Sequence, residues 1–276
     1  MTELLQILGL PLLACIVIGA VLAYLGIHVL KREVIFVDIA VAQVAAVGAI
    51  AAHLAFHVEE NTPIAYAASF ACVTLISAFY ALARHKISEI SIEAVIGISY
   101  AITAAAGLFL IGIAPGHAHA QEMLAGNLLW VTGRDIIWIL FAFCLVGVCL
   151  YTFRKPLSST SDDYNAAATQ GLNVVWWDFM FYLLLGVVIT LAVQVGGVVT
   201  VFAFLIIPAT TSALFSTRLA HRMLIGLTVV SVASILGLLF SYYLDFSIGP
   251  PVTLFLGILL GLAALLGKCV KGSRTP

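Results

Sequence analysis

The stretch VVWWDFMFYLLLGVVITLAVQVGGVVTVFAFLIIPATTSALFS, from Val174 to Ser216, contains a single charged residue, Asp178. About 20 apolar residues take a helix across the hydrocarbon core of a bilayer, and the crossing must be helical because lipid offers the backbone no hydrogen bonds. The stretch is long enough for two crossings, 174–194 and 196–216, with Gly196-Gly197 between them. Only glycine takes the angles of so tight a reversal cheaply. Arg154 and Lys155 precede the pair, Arg218 and Arg222 follow it, and no Lys or Arg lies at the turn. The turn is therefore expected on the outer side of the membrane and both flanks on the cytoplasmic side.

The same alternation runs through the whole chain. Eleven of the twelve Lys and Arg residues fall in five clusters, Lys31/Arg32, Arg84/Lys86, Arg154/Lys155, Arg218/Arg222 and Lys268/Lys271/Arg274. The intervening gaps hold only Arg134 among cations, together with Glu3, Glu59, Glu60, Glu122, Asp135 and Asp245. Apolar segments at 5–30, 34–57, 63–83, 93–114, 135–153, 174–194, 196–216, 223–244 and 251–268 predict nine spans, or eight if an early segment does not cross. Nine spans with basic clusters inside place the N-terminus outside and the C-terminus in the cytoplasm. Residues 120–134 read as a re-entrant or interfacial helix at the outer face.

Composition agrees with this all-α, polytopic reading. Apolar residues make up 63% of the chain and charged residues 9%, against about 25% charged in a soluble domain. A net charge of −1 argues against a nucleic-acid binder. Cys15, Cys72, Cys144, Cys149 and Cys269 show no metal-finger spacing and read as buried thiols. No soluble domain or internal repeat stands out, so residues 1–276 form one membrane domain. Pro208 lies inside an apolar run and predicts a kink, with Thr210 and Thr211 near the freed carbonyls. Gly249-Pro250-Pro251 opens the last span, where proline is harmless in the first turn.

The longest cytoplasmic segment begins at Arg154. Within it, Ser158-Ser-Thr-Ser161-Asp162-Asp163-Tyr164-Asn-Ala-Ala-Ala-Thr-Gln-Gly171 predicts a short helix at about 158–172, capped by Ser161 or Asp162 and ended by Gly171. So short a helix is unstable alone. It either docks on its own bundle or is presented to a partner.

Several landmarks occur in order along the chain: Glu93-Ala-Val-Ile-Gly97-Ile98, Gly126-Asn127, Asp163-Tyr164 through Ala168 to Gly171, Phe204-Leu-Ile-Ile-Pro208-Ala-Thr210, and Ser241-Tyr-Tyr-Leu-Asp245 before Gly249-Pro250. Together they resemble the permease subunit of bacterial zinc/manganese-type ABC metal importers, distantly similar to the cobalamin and siderophore permeases. The resemblance covers nearly the whole chain. It implies that the 158–172 helix is a coupling helix, with Asp162, Asp163, Tyr164, Ala167, Ala168 and Gly171 at the contact with a separate ATPase subunit. It implies a second permease subunit, in a homodimer, and an extracytoplasmic metal-binding protein. Localisation would be the bacterial cytoplasmic (inner) membrane, in contact with lipid and not nucleic acid. Transport would be alternating access, with Gly196, Gly197 and Pro208 as flexing points or plain packing features. No cofactor would be permanently bound; the cargo would be a divalent metal, zinc or manganese. The chain has no G-x-x-x-x-G-K-[ST] phosphate loop, in keeping with a separate motor.

The second span departs from that family. The family's Asp and His, one turn apart, fall here on Ile39 and Gln43 when Gly48 is aligned, and Asp38 stands one residue early. Gln43 lies roughly 14 Å into the span at about 1.5 Å per residue. It either hydrogen-bonds another helix or lines a pore. An acid at mid-span costs about 2.5–3.5 kcal/mol, less near the edge where Asp38 lies. Asp38 is expected either to pair with Lys31 or Arg32 or to line a cation path. A second candidate site lies at the outer mouth, where His53 and His57 are four apart on one helix face and Glu59 and Glu60 follow. With His117, His119 and Glu122 they form a possible metal-receiving funnel, or scattered interfacial residues. Imidazoles lean the reading toward zinc. The competing function is an ion-coupled secondary transporter, which would bury several ionisable groups at mid-membrane. Here only Gln43 lies deep, while Asp38 and Asp178 lie near the inner edge. Neither H-E-x-x-H nor G-x-S-x-G occurs, which disfavours an intramembrane enzyme.

Overall fold

The computed structural model describes residues 2–57, 62–87, 89–113, 128 and 131–272. Every regular element among them is helical. The long helices are α1 (Thr2–Arg32), α2 (Val37–Phe56), α3 (Pro63–Lys86), α4 (Ile92–Ile113) and α5 (Gly133–Thr152). Two short helices follow, α6 (Arg154–Asp162) and α7 (Tyr164–Thr169), and then α8 (Val174–Gly196), α9 (Val198–Phe215), α10 (Leu219–Leu244) and α11 (Gly249–Gly272). Nine helices among the described residues are long and apolar enough to cross a membrane, in the places the apolar runs predict. Of residues 120–134 only 128 and 131–134 are described, and Gly126 and Asn127 lie outside the described residues.

The chain divides into two compact units. One comprises residues 1–30, 125–143 and 195–276. It is held by small-residue contacts, the device that lets helices approach closely where lipid supplies no hydrophobic drive between them. A Cβ on Gly26 of α1 would stand 1.8 Å from the carbonyl oxygen of Leu205 in α9, and one on Gly237 of α10 would stand 2.6 Å from the Cα of Val252 in α11. Gly197 takes φ +76° at the α8–α9 turn, a left-handed angle that accounts for glycine at this position. Pro208 is buried inside α9, where Thr211 Oγ1 donates to Ile207 O at 2.8 Å. The buried Arg222 guanidinium reaches back from α10 to Ala209 O at 3.1 Å and Ser212 Oγ at 3.2 Å.

The second unit comprises residues 31–124 and 144–194. Here α2 packs on α3 and α4. Gly48 faces the α3 backbone at Ala68 and Ser69, and Ser69 Oγ donates to Ala45 O at 2.8 Å. A cavity of about 30 Å³ beside Ser69, Thr190 and Gln194 is large enough for a single water.

The segment after Arg154 differs from the single helix expected at 158–172. It is two helices broken at Asp163, whose φ of −153° and ψ of 107° are extended. The cap is Asp163, not Ser161 or Asp162: its Oδ1 accepts the N–H of Ala166 at 2.9 Å. Ser161 is instead turned inward and buried. Gly171, at φ +80°, ends the second helix as expected.

Candidate functional site

The α6–α7 elbow rests on the ends of three long helices, and one side chain ties it down. Arg32, the last residue of α1, is 2% exposed. Its Nε donates to Ser161 Oγ at 2.8 Å, its Nη2 to Leu157 O at 3.5 Å, and its Nη1 to Asp178 Oδ1. Its guanidinium also lies 4.1 Å from the centre of the Phe181 ring. Arg84, in the last turn of α3, reaches the same carboxylate at 3.2 Å and stacks 4.7 Å over Tyr164, the first residue of α7. Lys31 pairs with Asp162 at 2.5 Å. Asp178 is fully buried and binds two guanidinium groups.

The arrangement follows from where each residue sits in its helix. Cations in a last turn suit the negative end of the helix dipole, which places Lys31/Arg32 and Arg84 at the ends of α1 and α3. Asp178 lies in the first turns of α8, the end that favours an anion. The elbow brings its own acceptors, Leu157 O and Ser161 Oγ, to the one guanidinium that Asp178 leaves only partly satisfied. A buried ion needs every donor occupied, and Arg32 uses acceptors from two elements besides stacking on an aromatic face. The Tyr164 hydroxyl lies 3.2 Å from His85 Nδ1. Burial, and then the Asp178 charge, raise the pKa of that phenol, so it stays neutral.

Of the proposed ATPase-facing residues, Asp162, Asp163, Ala168 and Gly171 are exposed and Tyr164 half-buried. Ala167 is fully buried and faces the elbow's own support. The exposed tip is therefore Asp162–Asp163 with 168–171, and the inner face is Leu157, Ser161 and Ala167.

Asp38 is 2% exposed, the second residue of α2. The expected pairing with Lys31 or Arg32 is not found, because Asp162 and Asp178 take those two cations. Across from it Glu93, the second residue of α4, accepts the N–H of Phe36 at 3.2 Å through Oε1. Glu93 was read only as a landmark that opens a span. Its nearness to Asp38 depends on α2 packing against α4, which no local pattern announces. Gln43 is half-buried, and its Nε2 would lie 3.7 Å from a Cβ on Gly107 of α4.

His53 lies in the last turn of α2. That helix ends at Phe56, and His57 takes left-handed angles (φ 51°, ψ 36°) as its C-cap. Glu59, Glu60, His117, His119 and Glu122 lie outside the described residues. Among the described residues no group of three His, Cys, Asp or Glu side chains is placed to hold a metal.

The ABC 3 transport family matches residues 5–267. A Haemophilus influenzae protein named "Probable iron transport system membrane protein" is 30% identical over 214 residues, 74% of each chain. The manganese transport system membrane protein MntC of Listeria monocytogenes is 31% identical over 179 residues, 64% of each chain. In fold, the chain is similar to PsaBC from Streptococcus pneumoniae, with a TM-score of 0.78, 23% identity and coverage of 95% of this chain and 93% of that one. An inward-facing metal-chelate type ABC transporter gives 0.67 at 19% identity, covering 98% and 87%. With nine apolar helices and a family match that runs nearly end to end, the chain belongs to the ABC 3 transport family of membrane permeases.

Proposed function

We propose that this chain is the transmembrane subunit of an ATP-driven importer that moves a divalent transition-metal cation across the bacterial cytoplasmic membrane. The observation that carries the reading is the elbow: a short, polar-tipped pair of helices fixed by a buried ion cluster to the ends of α1, α3 and α8. A separate ATPase would seat on the exposed tip, and Arg32 and Arg84 would pass its movement to the long helices. A second permease copy and an extracytoplasmic binding protein complete the assembly, and the whole chain works as one permease domain with its N-terminus outside. The relatives' names point to manganese or iron as cargo, and zinc is kept as an alternative. Gly197 and Pro208 are the proposed flexing points.

Ala168→Glu places a charge on the exposed tip and leaves the buried face alone. It is expected to reduce copurification of the ATPase and metal uptake together by about tenfold, the equivalent of about 1.4 kcal/mol. Normal copurification and uptake would show that the tip is no docking surface. At the outer side, replacing His53, His57, His117 and His119 together by Ala is expected to lower uptake only at scarce external metal. A funnel raises local cation concentration without holding it. Uptake equal to wild type across the concentration range removes the funnel.

A further inference from the structure

Two buried carboxyl oxygens at the starts of α2 and α4 have no hydrogen-bond donor among the described residues: Asp38 Oδ1 and Glu93 Oε2. Glu93 Oε1 accepts the N–H of Phe36 at 3.2 Å, which brings the α4 acid to the start of α2, two residues before Asp38. Two acids with an orphaned buried oxygen each thus lie at the same contact, where α2 packs on α4. The neighbouring cations do not relieve this, since Lys31 binds Asp162 and Arg32 binds Asp178.

An orphaned buried acceptor costs about 1–3 kcal/mol, more when charged. Two at one helix contact are relieved by a positive visitor. The two positions where the family places its Asp and His hold Ile39 and Gln43, neither of which brings charge to a passing cation. The start of α2 has Glu93 beside it instead, an acid from a different helix.

Resting on the reading that the cargo is a divalent cation, we propose that Asp38 and Glu93 together form an oxygen-donor site for a hard divalent cation of the manganese class, at the end of the helices that bears the α6–α7 elbow. Carboxylate oxygens suit manganese, and the lack of an imidazole removes the feature that would favour zinc. Two protein donors leave the remaining positions to water, so the site holds its ion loosely, as a conduction path requires. The site also lies next to the machinery: Asp38 is six residues beyond Arg32, across a turn in which Glu33 takes φ 56°. Movement of the elbow through Arg32 would therefore bear on the start of α2 and change the gap between the carboxyls.

The test uses the purified full-length chain in detergent and Mn2+ alone as probe, following the loss of the free-ion EPR signal on titration. Asp38→Asn and Glu93→Gln are near-isosteric. Each is expected to weaken Mn2+ binding about tenfold or more, since ligand charge count sets affinity at oxygen sites. Glu93→Asp, which keeps the charge, is expected to fall between. Mn2+ uptake by the assembled transporter should fall in the same order. Binding equal to wild type in the variants overturns the site, even if uptake drops, because that would mark a structural dyad. Should Asp38→Asn fail to fold, Glu93→Gln decides, as Glu93 is only half-buried. Failure of the wild-type assembly to move any metal would instead sink the functional reading, which the EPR titration does not depend on.

Discussion

Replacing Asp178 by Ala is expected to destabilise the chain by about 3–5 kcal/mol, because it strands a buried cation. Arg32 has no exposed side-chain surface and Arg84 only 16%. With the carboxylate gone, Arg32 keeps Ser161, Leu157 O and the Phe181 ring, none of which bears a negative charge. The cheapest relaxation frees the guanidinium to water, which requires the α6–α7 elbow to lift from its support. The measurement is thermal unfolding of the purified protein, with limited proteolysis at 154–171 to locate the loss. Asp178→Leu combined with Arg32→Met removes the fully buried pair and leaves only Arg84, which is 16% exposed and can turn to water; replacements of a buried pair are often neutral or stabilising by roughly 1–4 kcal/mol. The double variant is therefore expected to melt near wild type. If the cluster only holds the fold, that variant transports normally. If it passes movement from the motor, the variant is stable and hydrolyses ATP in the complex without moving metal. A single Asp178→Ala variant that melts with wild type would refute the ion cluster itself.

That cluster marks where sequence reading stops. The nine spans are legible because each is a run of apolar residues bounded by charge, and both signals are local. Asp178 is legible as an acid near one end of a span. Its partner is not, because Arg32 stands 146 residues away and Asp38, only six residues from Arg32, offers a nearer and plausible mate. The competition is resolved by packing, which brings the Asp178 carboxylate of α8 to the end of α1. The cap of the elbow is a similar case. Ser161, Asp162 and Asp163 are all good cap residues, but Ser161 is needed inward by Arg32 and Asp162 outward by Lys31. Only Asp163 is free to take the Ala166 N–H. Residue type narrows such a choice, and tertiary demand makes it. The histidine pair rests on a different assumption. The spacing assumes that the helix continues through His57, and the chain leaves the helix there.

Gly26→Ala is the other substitution with a large expected effect, though it adds one methyl group to a residue that no motif singles out. That methyl would be placed 1.8 Å from Leu205 O and 2.9 Å from Leu205 C, both backbone atoms that cannot rotate away. Van der Waals separation for carbon and oxygen is roughly 3.3 Å, so α1 and α9 must part by more than 1 Å. Ala209 Cβ, at 3.1 Å, blocks the sideways escape. Overpacking of side chains alone costs about 1–3 kcal/mol. A clash with main chain exceeds that, because a whole helix must move and its other contacts open. Those contacts include Gly19 of α1, where a Cβ would stand 2.4 Å from Val230 Cγ1 of α10 and 3.2 Å from Phe204 Cδ1 of α9. Gly257→Ala is the control: nothing lies within 4 Å of its Cβ position. There the higher helix propensity of Ala, about 1 kcal/mol over Gly, is the only term. In detergent, Gly26→Ala should melt well below wild type or aggregate on size exclusion, while Gly257→Ala melts at or above it. Equal melting of the two variants would mean that the close approach of α1 to α9 does not exist in the folded protein. It would remove the packing on which that unit rests.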